Sequence, residues 1–194
     1  GAMVTRILFT VLVAGLAVQR LVELRWSRRN EQEILKRGGR EHAPVQFEWM
    51  KVLHTTWFVS MLVEVFALKR KFPPLLASVA VLTLAVGQSL RYAAIRTLGW
   101  RWSVRVMTLP HLPPVSDGIY RHIRHPNYLG VALEILAVPL IHGAYLTALI
   151  FSLANGLLLR ARIQQEEQAM NEANHYEMYF RERPRWFPRL FRSE

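Results

Sequence analysis

The sequence predicts an all-α, polytopic membrane protein with about five transmembrane helices and a cytoplasmic C-terminal helix that closes a pocket. Two observations carry this. Apolar residues make up 52% and charged residues 20% of the 194-residue chain. Those averages are ordinary, but the two classes are segregated into long apolar runs and charged blocks. The Lys and Arg residues behind the net charge of +11 also crowd into alternate connections, as in membrane proteins that obey the positive-inside rule. A single membrane domain over residues 1–194 is the simplest partition.

Gly1-Ala2-Met3 reads as an added leader and carries no weight. The first span covers 3–24. Its apolar run meets Gln19-Arg20-Leu21-Val22-Glu23-Leu24 at helical spacing, with no small-residue cleavage site. A membrane helix running on into a charged surface helix is therefore expected, with its stop at Gly38-Gly39 and a loop over 40–44. The second span, 47–68, contains His54 and Glu64. Polar groups this deep are costly in lipid and face a bundle interior.

Lys69-Arg70-Lys71 ends that span, and Pro73-Pro74 opens the third, 75–96. Trp100, Trp102 and the arginines beside them suit the headgroup level. A proline-rich loop occupies Met107 to Asp117. Spans four and five, 127–141 and 145–159, are each about 15 residues, short of the roughly 20 of an independent span. With His142-Gly143-Ala144 turning between them, they read as a tight hairpin. A charged cytoplasmic helix over 160–180 follows, and Trp186-Phe187-Pro188 and Leu190-Phe191 return to the interface.

Five spans put the two termini on opposite sides. One side holds 8 Lys/Arg in the loop 20–51, 6 in 91–124 and 7 in the tail; the other holds Arg6 and the 69–71 cluster, 4 in all. The large loops and the tail are then cytoplasmic. The same distribution argues for basic loops against anionic lipid headgroups and against nucleic acid, since no basic stripe is interleaved with aromatics in a soluble fold. There is no cysteine, which excludes disulfides and thiolate metal sites. No phosphate-binding glycine loop, nucleophile elbow or zinc helix motif is present.

Chemistry concentrates in two stretches. In Arg121-His122-Ile123-Arg124-His125-Pro126, the proline suits the first turn of the fourth helix. Free backbone donors at that terminus, with Arg124, make an anion site, and His125 donates or accepts near neutral pH. His122 and His125 have no clear third partner for a metal, and none is expected. Glu134, two turns into the apolar helix, is either functional or a core carboxylate pairing with His54 or Asn155. The second stretch is Arg162-Ile163-Gln164-Gln165-Glu166-Glu167, in which Arg162 and Glu166 share a helix face as a surface ion pair would. The two stretches are expected to close over one site beside a lipid-accessible cavity.

Gly118, Tyr120, Arg124, His125, Pro126, Tyr128 and Gly130, then Arg162, Glu166, Glu167, Tyr176 and Tyr179, follow one pattern across the hairpin. In it the chain resembles the isoprenylcysteine carboxyl methyltransferase-like family over about its last 80 residues. The amino-terminal half, with Arg20-Leu-Val-Glu-Leu, Arg28-Arg-Asn-Glu and Thr97-Leu-Gly-Trp-Arg-Trp, is more similar to a bacterial branch that methylates long-chain alkylpyrones or alkylresorcinols. The chain has Asn174-His175 where the family usually has Phe-Gly, and Glu182 where it usually has Arg; both count against a prenylcysteine substrate.

The resemblance implies an S-adenosylmethionine-dependent O-methyltransferase with a lipophilic acceptor, facing the cytoplasm from a bacterial inner membrane. It implies cofactor contacts from Tyr120, Arg124, His125, Pro126, Tyr128, Leu129, Gly130 and Glu166, catalytic roles for Arg162 and Glu167, and acceptor contacts from Glu134 and His54. Alternatives are a methyltransferase for prenylcysteine carboxylates or phospholipid amines, or an NADPH-dependent membrane reductase of similar C-terminal architecture. The acidic Glu166-Glu167 pair suits a sulfonium donor better than an extra phosphate.

Overall fold

A computed structural model of the chain describes residues 1–188; the expected interface contact of Leu190 and Phe191 lies outside the described residues. Six helices follow in order: α1 (Ala2–Lys36), α2 (Pro44–Ala67), α3 (Pro74–Leu98), α4 (Pro126–Ile141), α5 (Tyr145–Asn174) and α6 (Tyr176–Phe180). Four of them, α1, α2, α3 and α5, are long and apolar enough to cross a membrane, and α4 is a shorter apolar helix. The protein is an all-α polytopic membrane protein, as expected. Leu8, Leu21, Leu82 and Leu157 point outward, the arrangement a helix takes when its solvent is lipid.

Two ends are distinguishable. At the first, Arg6 donates to the Arg70 carbonyl (3.3 Å) and Thr5 meets His142 Nε2 (3.0 Å). The amino terminus, the α2–α3 turn and the α4–α5 turn therefore lie together. Glu64 fixes this end. Its carboxylate accepts from the backbone N–H groups of Leu146 (3.2 Å) and Thr147 (2.7 Å) and from the Thr147 hydroxyl (2.8 Å), and it pairs with Arg70. Those amides belong to the first turn of α5, where no intrahelical acceptor exists, so α2 supplies the cap that α5 lacks.

At the second end the structure departs from the expected loops. Arg40–His42 (β1) pairs antiparallel with Val106–Thr108 (β2), with Glu41 opposite Met107. Three-residue strands give too little alternation to be read from sequence. The ribbon is clamped to α1 by Arg105, which donates to Glu41 (2.7 Å) and reaches Glu31 at 3.6 Å. The cytoplasmic helix expected over 160–180 is instead an unbroken continuation of α5 to Asn174, followed by the short α6. The spanning part of α5 ends where its charges begin, at Arg160. His175, between the two helices, adopts φ 53°, the left-handed region that glycine enters with least strain.

The core lies between α1, α2 and the α3–α4 pair, with Phe9, Trp57, Met61 and Ile135 buried. Trp57 Nε1 donates to the Ile135 carbonyl at 3.1 Å, which satisfies a polar group that lipid would not. Helices α3 and α4 touch backbone to backbone. A Cβ at Gly130 would lie 2.7 Å from the Gly87 carbonyl oxygen, so glycine is required where these helices cross.

Candidate active site

Pro126 opens α4, and His125 before it is held out of the helix at φ −131°, ψ 62°. Proline fixes the first-turn geometry and brings no N–H to satisfy. The two backbone amides just before it, of Arg124 and His125, donate to the Pro184 (2.9 Å) and Arg185 (3.3 Å) carbonyls, so the tail lies across this terminus like a short strand, while the first-turn amides of Asn127 and Tyr128 have no acceptor among the described residues. The Arg124 guanidinium is engaged as well, by Glu167 (3.0 Å), Glu177 (3.3 Å) and the Arg183 carbonyl (2.8 Å).

Glu167 is the centre of this end. It accepts from Arg124, from His125 Nε2 (3.1 Å) and from both Nε (3.1 Å) and Nη2 (2.9 Å) of Arg185. Partial burial pushes its carboxyl up, but the hydrogen bonds from His125, Arg185 and Arg124 outweigh that and hold it at about 2. Glu167 thus ties the α4 terminus, α5 and the tail together.

One turn away the arrangement differs. Glu166 accepts from the Tyr128 hydroxyl at 2.5 Å. Arg162 does not pair with it as a surface ion pair. It is 1% exposed and donates through Nη2 to the Val104 carbonyl (2.7 Å), leaving Nε and Nη1 without partners among the described residues. The loop leading into β2 covers this face of α5, which a helical wheel of α5 alone could not reveal.

These groups surround two adjoining lobes of a cavity, of about 750 and 730 Å³ with the open solvent at their mouths included. Leu98, Ser103, Arg105, Tyr120, Arg124, His125 and Glu166 border both lobes. The first lobe is finished by the β2 strand, Met170, Asn174 and Tyr176. Asn174 holds the roof by donating to the Leu109 (2.7 Å) and Leu112 (2.6 Å) carbonyls. Burial pushes the Tyr120 hydroxyl well above its ordinary value, so it acts as a neutral donor. The second lobe runs between the membrane helices past Met50, Val131, Leu158 and Leu159, and is lined also by His54, Asn127, Arg162 and Arg20.

The sequence therefore located Tyr120, Arg124, His125, Tyr128, Arg162, Glu166 and His54 at one cavity, and Glu167 directly behind it. Pro126 positions its wall. Leu129 faces a separate apolar groove beside Trp186 and Phe187, and Gly130 serves the α3–α4 crossing. Glu134 pairs with neither His54 nor Asn155. It accepts from Arg91 (3.1 and 3.3 Å) and contacts Arg20 at 3.5 Å, while Arg91 also donates to Glu23. Arg20, Arg105 and Asn127 are cavity residues that sequence reasoning missed; for Arg20 the signal was a cation one turn before Glu23 inside the first span.

The polar groups at the junction of the lobes, Tyr120, His125 and Glu166, fit a zwitterionic nucleoside, and the second lobe has polar groups of its own to offer. Arg162 Nε and Nη1, Asn127 Oδ1 and His54 Nε2 are buried and unpartnered among the described residues. All three residues line the second lobe, and Glu166 stands at the junction of the two. Buried polar atoms in native proteins are normally satisfied, so these groups have bonding capacity left for a polar ligand or for water.

Residues 79–172 match the isoprenylcysteine carboxyl methyltransferase (ICMT) family. The chain is 35% identical over 165 residues to the uncharacterized protein YpbQ of Bacillus subtilis, an alignment covering 85% of this chain and 98% of that protein. It is 24% identical over 153 residues to an uncharacterized protein of Haemophilus influenzae, covering 78% and 88% of the two. A protein-S-isoprenylcysteine O-methyltransferase of Schizosaccharomyces pombe is 33% identical over 110 residues, 54% of this chain and 46% of that one. The matched region runs from within α3 through nearly all of α5 and contains most of the cavity's lining, with Arg20, Met50 and His54 of α1 and α2 outside it. The chain belongs to the isoprenylcysteine carboxyl methyltransferase family, and it is a membrane methyltransferase.

Proposed function

We propose that the protein is an S-adenosylmethionine-dependent O-methyltransferase of the cytoplasmic membrane whose acceptor is a long-chain alkylpyrone or alkylresorcinol. The observation that carries the reading is the junction of the two lobes at Tyr120, Arg124, His125 and Glu166. One lobe is capped by polar loops at the water end, and the other passes between membrane helices.

Bound S-adenosylmethionine supplies an electrophilic methyl group on a sulfonium. The protein's part is placement, which dominates a bimolecular displacement. Tyr120 and Glu166 offer a neutral donor and a carboxylate to the nucleoside. Arg162 orients the acceptor oxygen. Glu167 is a positioning residue, acting through His125 and Arg124. The alkyl chain stays among α2, α4 and α5. The excess of Lys and Arg at the cavity end supports a cytoplasmic site. The Schizosaccharomyces pombe relative favours a second reading, a prenylcysteine carboxylate as acceptor.

The test is calorimetric binding of S-adenosylhomocysteine and of NADPH to detergent-purified protein, followed by methyl transfer to an alkylhydroxypyrone, an alkylresorcinol and a farnesylcysteine. Nucleoside binding with transfer to either polyketide-type acceptor is expected. Transfer to farnesylcysteine alone establishes the second reading. Binding of NADPH without S-adenosylhomocysteine overturns the proposed donor.

A further inference from the structure

The second lobe is bordered by arginines that differ in how fully their donors are used. Arg124 is saturated by Glu167 and Glu177, and Arg105 by Glu41 and Glu31. Two arginines with spare donors remain. Arg162 is buried and has no carboxylate within ion-pair distance among the described residues. An isolated buried charge is costly enough that proteins rarely keep one without a partner. Arg20 is the second. It belongs to a membrane-embedded group of two acids and two bases, yet within that group Arg91 makes the hydrogen bonds to both Glu23 and Glu134. Arg20 contributes one 3.5 Å contact to Glu134 and donates no hydrogen bond among the described residues. Its guanidinium borders the second lobe, as do Arg162 and His54. The only carboxylate bordering that lobe, among the described residues, is Glu166, already bonded to Tyr128.

We infer that the second lobe binds the acceptor as an oxyanion, held by Arg20 and Arg162, and that the Glu134–Arg91–Glu23 chain is what aims Arg20 at it. The inference rests on the methyltransferase reading and deepens it, because it selects an acidic enol or a carboxylate over a neutral phenol. Arg91 locks Glu134 in place, Glu134 in turn limits where Arg20 can lie, and a cation with unused donors faces the cavity. An acceptor oxygen that arrives ionised needs no general base, and no unengaged carboxylate borders this lobe among the described residues. The donor's own carboxylate offers the same chemistry, so the two sources must be separated.

The experiment compares wild type, Arg20→Gln and Arg20→Lys in lipid vesicles, using an alkylhydroxypyrone, acidic at neutral pH, and an alkylresorcinol of the same chain length. S-adenosylhomocysteine and methylthioadenosine, which lacks the amino-acid part, are titrated in parallel. Arg20→Gln is expected to raise KM for the hydroxypyrone roughly tenfold to a hundredfold, the worth of a charge-assisted hydrogen bond. The alkylresorcinol KM and S-adenosylhomocysteine binding should stay within about twofold, and Arg20→Lys should restore most of the preference. Equal losses for both acceptors, or none, overturn the inference. Weakened S-adenosylhomocysteine binding with unchanged methylthioadenosine binding overturns it in favour of the donor carboxylate. If Arg20→Gln fails to fold, wild type alone decides: an alkylbenzoate must compete with the acceptor better than the matching alkylphenol, and equal competition refutes the inference. Wild type that binds no nucleoside fails the methyltransferase reading itself, a different result.

Discussion

Two carboxylates hold this molecule together at different depths, and they do so under different solvents. Glu134 sits among α1, α3 and α4, with Arg91 and Arg20 around it and Glu23 beyond. Glu167 sits at the water end, with Arg124, His125 and the tail's Arg185. Both are saturated by cations. Glu134, Arg91 and Glu23 are buried, and Arg20 alone of the group reaches the cavity, so each charge in it depends chiefly on the others. The Glu167 group includes an Arg185 that is half exposed, so water can replace part of what any one contact supplies. The same chemistry therefore serves as an anchor in one place and a releasable clasp in the other.

Glu134→Gln should break that comparison most sharply. Removing one charge leaves Arg20 and Arg91 with a single acid between them, and an uncompensated buried charge costs about 3–5 kcal/mol. Denaturant titration in detergent micelles should show that loss; a change below about 1 kcal/mol would mean that water reaches the cluster. Glu167→Gln is expected to cost less, about 1–2 kcal/mol, because solvent screens the exposed part of its network. Its signature is a tail that trypsin removes faster. The pH dependence follows the same group. Its carboxyl is held at about 2 in the folded protein, below the roughly 4.3 of an unfolded chain. Its contribution is therefore complete above the unfolded value and lost as pH falls through the folded one. Tail cleavage by an acid-active protease should accelerate over that window in wild type, and Glu167→Gln should abolish the acceleration. The smallest effect belongs to the exposed pair of Glu33 and Arg37, at 2.8 Å on α1. Glu33→Gln, which leaves the Arg37 guanidinium over the Trp100 ring, should change stability by no more than about 0.5 kcal/mol, which calibrates the other two measurements.

The spans were legible because lipid imposes one requirement on all of them, a long apolar run bounded by charge. The α4–α5 hairpin and the Pro126 start were legible for local reasons, a proline and a short turn. The ribbon of β1 and β2 was not, since three residues on each side carry no period. Arg162 and Glu167 stand out in the sequence as charged groups just after the hairpin, but their partners in the structure are not the ones that spacing offers. Helical spacing offered Glu166 to Arg162, whereas tertiary structure gave it the Val104 carbonyl and covered it with the β2 loop. Glu134 was recognised as unusual, yet its partners come from helices more than 40 residues away, a distance that no local pattern bridges. Arg20 was hidden for the same reason.

The shortness of α4 has a consequence for the acceptor. Its 16 residues rise roughly 24 Å at about 1.5 Å each, against a hydrocarbon layer of about 30 Å. The helix is covered by its neighbours, with Leu136 its one exposed residue, so its amino end at His125 is set back within the bundle rather than at the headgroup level. The floor of the cavity thus lies at a depth where acyl chains still pack. A long-chain amphiphile can present its polar head there without being lifted toward water, and each methylene kept in lipid avoids a cost of about 0.8 kcal/mol.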